Sequence, residues 1–220
     1  MRIFIIIPAY NEADNLEFVL HELDDTKYNV VVVDDGSTDD TAAIAGKHRV
    51  CLLKHLVNLG QGAALRTGTD FALQNGADII VHFDADNQHR VGDIAILVEA
   101  IKNGEADITL GSRFLSVRSD LPLRKKLVLF FAKIFSRSIL KLEFSDPQNG
   151  LRAFRREIRT LLDWQANDFS HCSEILSIIA KKKLRYQEVP VKINYEGRIK
   201  KSVRPRLRMG WRLLFNKIIE

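Results

Sequence analysis

Cysteine is scarce in this 220-residue chain. Cys51 and Cys172 stand far apart and outside any CxxC or Cys/His spacing, which excludes a disulfide framework and a zinc site and makes a reducing cytoplasm the default compartment. Long apolar runs are missing as well. The stretch from Leu127 to Ala132 falls well short of the ~20 residues that cross a bilayer. The N-terminus offers only Ile3 to Ile7, cut off by Pro8 and shorter than the ~7 to 15 residues of a signal-peptide core. Neither a membrane span nor a secretory leader is expected. Zinc-finger, helix-turn-helix and RNP signatures are absent too, and an acidic first half would repel phosphates, so no nucleic-acid partner is expected despite a pI near 9.2.

Charge is present but unevenly placed. Residues 1–110 hold 8 Lys/Arg against 18 Asp/Glu, whereas residues 111–220 hold 25 against 10. A basic second half suits an anionic partner such as phosphate or membrane head groups. Through the first half, short apolar runs alternate with helix-length segments. Ile3–Ile7, Val30–Val33, Val50–Leu53, Ile79–Phe83 and Ile108–Leu110 predict strands. Glu12–Leu23, with Leu16, Val19, Leu20 and Leu23 on one face, predicts a helix, as do Gln61–Gln74 and Gly92–Lys102. This order predicts a single α/β domain built on a largely parallel sheet with helices on both faces.

In such sheets ligands bind outside the carboxyl ends of the strands, where the polar clusters fall. Asp84-Ala85-Asp86 follows the fourth strand. On an extended backbone residues i and i+2 point the same way, so the two carboxylates can grip one hard divalent cation. Mg²⁺ or Mn²⁺ in that position would in turn hold a diphosphate. Pro8-Ala9-Tyr10-Asn11-Glu12 follows the first strand and Gly111-Ser112-Arg113 the fifth. Asp34 to Asp39 follows the second, with Ser37 or Thr38 as a helix N-cap. Asn58-Leu59-Gly60-Gln61-Gly62 follows the third, its amides placed to meet phosphates or a ribose.

The motifs IIIPAYNE, VVVDDGSTDDT, NLGQGAALRTG, FDADNQH, GSRF and DPQNGLRAF, in that order, resemble those of the family 2 glycosyltransferases of the GT-A fold. Within that family the likeness is to dolichyl-phosphate mannose synthase and the bacterial polyprenyl-phosphate glycosyltransferases, over roughly residues 3–195. The resemblance implies a Rossmann-like GT-A domain over residues 1–195, followed by a basic amphipathic segment over 196–220. It implies an inverting, metal-dependent transfer of a sugar from a nucleotide-sugar donor to a polyprenyl phosphate. Pro8, Tyr10, Glu12, Asp35, Asp84, Ala85 and Asp86 would bind the donor, and Asp84, Asp86 and Gln88 the Mg²⁺ or Mn²⁺. Arg113, Arg124, Arg198 and Lys200 would contact the acceptor phosphate. Asp86, Arg113 and Asp146 would be catalytic, Asp146 as general base for a glycan hydroxyl in the alternative reaction, or as an orienting partner of basic groups if the acceptor is a lipid phosphate. The chain departs from the synthase pattern at Gln148-Asn149 and at Gly197 to Ser202.

Two basic segments complete the picture. Leu123–Leu142 is helical in pattern, with Lys126, Lys133, Arg137 and Lys141 along one face and Leu127, Phe131, Ile134 and Phe135 elsewhere. Residues 198–217 carry eight Lys/Arg and no acid beside Trp211, Leu213, Leu214 and Phe215. Basic stripes beside apolar faces are expected of a peripheral protein on an anionic membrane surface, here the inner face of the cell membrane.

Overall fold

The computed structural model describes residues 1–115 and 144–194. Their elements run β1 (Ile3–Ala9), α1 (Ala13–Asp24), β2 (Asn29–Asp34), α2 (Thr41–Ala45), β3 (Cys51–Lys54), α3 (Gln61–Gln74), β4 (Ile79–His82), α4 (Asp93–Lys102), β5 (Ile108–Ser112) and β6 (Arg152–Arg155). A 3-10 turn at Arg156–Ile158, α5 (His171–Lys182) and β7 (Tyr186–Pro190) follow.

The strands form one sheet in the order β3-β2-β1-β4-β6-β5-β7. β1 lies parallel to β2 and β4, β2 to β3, and β5 to β7. β6 runs against both its neighbours, with His82 opposite Arg152 and Leu110 opposite Arg152 on the other side. The sheet is therefore mixed but mostly parallel, as the alternation of elements predicts.

The apolar runs of β1 and β2 are continuous because both faces are covered. Ile3, Ile5 and Ile7 pack with Leu16, Leu20 and Leu23 of α1 and Ile94, Leu97 and Ile101 of α4. Phe4 and Ile6 face the other way, against Ala64 and Leu65 of α3, Trp164, and Ile175 and Ile179 of α5. Each such side chain fully buried contributes about 1.5–3 kcal/mol. The approach of α3 requires Gly68, where a Cβ would stand 2.3 Å from the Ile6 side chain. With these layers in place the carboxyl ends of β1 to β5 converge at one rim.

Candidate active site

At that rim the described residues enclose a cavity of about 600 Å³, lined among others by Pro8, Tyr10, Glu12, Asp35, Asp84, Ala85, Asp86, Gln88 and Arg113. Every donor-site and metal-site residue anticipated from the sequence thus lies on one wall or another of a single cavity. Asp146 is not among the lining residues. Arg124, Arg198 and Lys200, together with the basic segments at 123–142 and 196–220, lie outside the described residues.

The two carboxylates reach the cavity by a turn. β4 stops at His82, and residues 85–86 turn, closing with Asn87 at φ +56°. Asn tolerates this left-handed backbone better than most residues. This replaces the extended-backbone argument for residues 84 and 86. Ala85 still points inward, 4 % exposed in the core. Asp84 Oδ1 accepts from Gln61 Nε2 at 2.8 Å, and Oδ2 lies 3.4 Å from His89 Nε2. Burial works to raise the Asp84 carboxyl. The His89 hydrogen bond and the charges of His89, Arg152 and His171 outweigh it and hold the group below the usual carboxylate range. Gly150 closes over the same carboxylate so tightly that a Cβ there would stand 2.5 Å from Oδ2.

The donors expected from the sequence, two carboxylates and the Gln88 carboxamide, all line the cavity and are hard oxygens suited to Mg²⁺ or Mn²⁺. Among the described residues no group of three or more His, Cys, Asp or Glu side chains is arranged to hold a metal ion. A cation held by Asp84 and Asp86 would thus complete its shell with water and ligand oxygens.

Neighbouring loops are fixed to each other rather than left to the ligand. Asn11, at φ +53°, accepts the Thr38 amide on Oδ1 at 2.8 Å, and its own amide donates to Ser37 Oγ at 2.9 Å. Asp35 is 3 % exposed. It accepts the Leu59 amide at 2.9 Å, the Gly60 amide at 2.7 Å and His55 Nδ1 at 2.7 Å. The Gly62 amide is used by Asn167 O at 2.7 Å. Three amides of the Asn58–Gly62 loop, those of Leu59, Gly60 and Gly62, are therefore engaged within the protein. The cap expected at Ser37 or Thr38 is displaced, since α2 begins after Asp40 and makes no side-chain cap bond.

Arg113 and Asp146 form one unit. Arg113 Nε donates to Asp146 Oδ2 at 2.6 Å, Nη2 to Oδ1 at 2.5 Å, and the Arg113 amide to Oδ2 at 3.1 Å. The carboxylate is fully buried while the guanidinium keeps 17 % exposure on the cavity side. A bidentate pair of this kind fixes the plane of the guanidinium. Asn149 adds a donor to Oδ2 at 3.3 Å. The geometry ties Asp146 to Arg113.

The sequence assigned no role to the Gln61 side chain or to His89, Gly150, Phe169 or Cys172, all of which line the cavity. Gln61, His89 and Gly150 lie inside motifs quoted above. Phe169 and Cys172 come from a segment without periodicity or motif, and nothing in the sequence marks them.

Comparison with known proteins gives the same frame. The sequence model described as Glycosyl transferase family 2 matches residues 4–162. Over 88 % of this chain and 86 % of the relative, the sequence is 35 % identical to the UDP-N-acetylglucosamine–dolichyl-phosphate N-acetylglucosaminyltransferase of Methanococcus voltae. It is 33 % identical to the polyprenol monophosphomannose synthase of Mycolicibacterium smegmatis, over 79 % of this chain and 69 % of that one. In fold it matches glucosyl-3-phosphoglycerate synthase of Mycobacterium tuberculosis, solved with Mn²⁺, UDP-glucose and phosphoglyceric acid. That match has a TM-score of 0.67 at 24 % identity, covering 95 % of this chain and 74 % of that one.

Proposed function

The chain belongs to glycosyl transferase family 2, and on that premise we propose that it moves a sugar from a nucleoside-diphosphate donor to a polyprenyl phosphate with inversion at the anomeric carbon. The observation that carries this reading is that Arg113, held from behind by the buried Asp146, lines the same cavity as Asp84 and Asp86. One part of the cavity suits a diphosphate and the other a second phosphate. The named relatives from Methanococcus and Mycolicibacterium, whose names specify dolichyl phosphate and a polyprenol monophosphomannose product, support the same acceptor class.

An oxygen of the acceptor phosphate attacks the anomeric carbon from the face opposite the diphosphate. The carbon–oxygen bond to the diphosphate breaks as the new one forms, and the configuration inverts. A phosphate nucleophile is already ionised and requires no base. Arg113, its plane fixed by Asp146, orients the acceptor oxygens, and Tyr10, Pro8 and Glu12 border the nucleoside. Asp35 acts by holding the loop at Leu59 and Gly60 in place. Asp84, Asp86 and Gln88 would hold Mg²⁺ or Mn²⁺, which would supply positive charge to the departing diphosphate.

The alternative, transfer to a glycan hydroxyl, needs a carboxylate within reach of the acceptor proton. Asp146 has both oxygens engaged by Arg113, which favours the lipid-phosphate reading. Among the described residues no helix is long and apolar enough to cross a membrane. By their charge, the basic segments at 123–142 and 198–217 are assigned the task of meeting the anionic inner face of the cell membrane, where the acceptor resides.

Incubation with UDP- and GDP-sugars, a short-chain polyprenyl phosphate and Mn²⁺ tests the proposal. The expected result is cation-dependent formation of a glycosyl phospholipid of inverted configuration. Transfer to glycan hydroxyls with none to lipid phosphate would overturn it.

A further inference from the structure

Behind the cavity wall lies a cation without a carboxylate of its own. Arg152 is 2 % exposed in the middle of the sheet. Its Nε donates to Gly150 O at 3.2 Å, and its Nη2 to Asn149 O at 3.3 Å and to Cys172 Sγ at 3.1 Å. Nη1 is buried with no partner. A buried guanidinium is costly without a counter-charge. Asp84 feels its charge but is engaged by Gln61 and His89, and among the described residues no carboxylate pairs with Arg152. The sulfur is the remaining group in contact that can become an anion.

The surroundings of that sulfur favour the same state. Cys172 stands in the first turn of α5, where the helix dipole favours negative charge. His171 is fully buried; its Nδ1 donates to the Asp168 carbonyl at 2.8 Å, and its Nε2 faces Sγ at 3.5 Å. Burial works to raise the thiol, and the charges and hydrogen bonds of Arg152 and His171 overcome it, bringing it down to about 7. Cys172 is only half-buried and lines the cavity, so a small reagent reaches it.

We propose that Cys172 is held as a thiolate by Arg152 and His171, and that its oxidation by a small hydroperoxide shuts the cavity to the nucleotide sugar. The sulfur attacks the terminal peroxide oxygen. A sulfur–oxygen bond forms as the oxygen–oxygen bond breaks, and the sulfur is oxidised by two electrons to a sulfenic acid. Hydrogen peroxide is reduced to water, its departing hydroxide taking a proton from solvent. The Arg152 guanidinium, whose Nη2 already contacts Sγ at 3.1 Å, leaves a charged donor beside the oxidised sulfur. A thiol reductant reverses the step by condensing to a mixed disulfide with loss of water and then exchanging it. The shutting of the cavity rests on the proposed function; the chemistry of the thiol does not.

Cys51 is the internal standard. It is also half-buried, but burial pushes its thiol up. Competition labelling with iodoacetamide at pH 7, read by peptide mass spectrometry, is expected to modify Cys172 at least about tenfold faster than Cys51. Hydrogen peroxide is expected to convert Cys172 to a dimedone-reactive acid and to lower turnover of the nucleotide sugar about tenfold or more. Dithiothreitol should restore turnover, and the ratio of treated to untreated activity in Cys172→Ser should stay at unity. Equal labelling of the two cysteines overturns the thiolate. Full turnover by the oxidised enzyme overturns the closure. If no donor is turned over in either state, the transferase reading fails by itself, and thermal-shift binding of UDP with Mn²⁺ before and after oxidation decides the closure instead.

Discussion

Asp84 is gripped by Gln61 on one oxygen and approached by His89 on the other, with Gly150 closing over it. It is a fixed carboxylate, not a loose surface acid. Asp84→Asn and Asp86→Asn should each lower Mn²⁺-dependent transfer by roughly 10²–10³-fold, the cost of removing one electrostatic contact to a transition state, with cooperative urea unfolding retained. Gly150→Ala forces a methyl group against Oδ2. It should lower transfer while leaving the far-UV circular dichroism unchanged, because the displaced carboxylate belongs to the cavity and not to the core. Asp146→Asn separates orientation from base catalysis. For a positioning residue, the KM for polyprenyl phosphate rises and kcat falls less than about tenfold; loss of a general base would remove about 10²–10⁴ from kcat with KM unchanged. Asp84 and Asp86 stood out in the sequence because they close an apolar run that reads as a strand, whereas Pro8, Tyr10 and Glu12 were named as donor contacts only through the resemblance carried by the IIIPAYNE motif. Arg152 did not stand out, because a charged residue reads as solvated until the fold buries it.

Among the elements, α3 was legible to its ends. Its apolar face is regular, and Gly60 before it and Asn75-Gly76 after it are breakers. β6 was hidden. Arg152-Ala153-Phe154-Arg155 has charges at both ends, and its antiparallel insertion between β4 and β5 depends on contacts with strands far away in sequence. α2 is only five residues long and gives no periodic signal, while α5 and β7 follow a stretch where Trp164 is buried by tertiary contact alone. β7 is fastened to β5 at its start, where Arg185 donates to Asp107 at 2.9 and 2.7 Å. The hydrogen bond from Arg185 lowers the Asp107 carboxyl, burial opposes, and the charges of Arg185 and Arg155 add to the lowering. A carboxyl lowered in the folded state supports stability above the unfolded-state range near pH 4, and that support is lost as pH falls through the folded value. Urea midpoints of the wild type and Asp107→Asn should therefore differ at pH 6 and converge towards pH 3. A constant gap would show that the contact acts without its charge.

For the molecule as a whole, the division of charge is the feature that composition alone exposed. The acidic half carries Asp84 and Asp86, the proposed cation ligands at the sheet rim, and the basic half carries the segments proposed to meet the membrane. Each Lys or Arg near an anionic surface adds about 1 kcal/mol, diminished by salt. The protein should co-sediment with vesicles containing anionic lipid, less so as salt is raised, and leave neutral vesicles unbound. Equal recovery on both vesicle types would remove the surface-binding role.

The position of β6 also bears on synthesis. β3, β2, β1 and β4 are all encoded before residue 83, whereas the strand that covers the outer side of β4 begins at Arg152. A nascent chain emerging from the ribosome can assemble the first four strands and then wait for about seventy more residues, roughly 4–14 s at ordinary translation speeds. Through that interval Ile79, Ile80 and Val81 form a bare apolar margin, open to mispairing with other newborn chains. Translation tempo across this stretch, or a chaperone that shields the margin, would then govern how much protein reaches the native state.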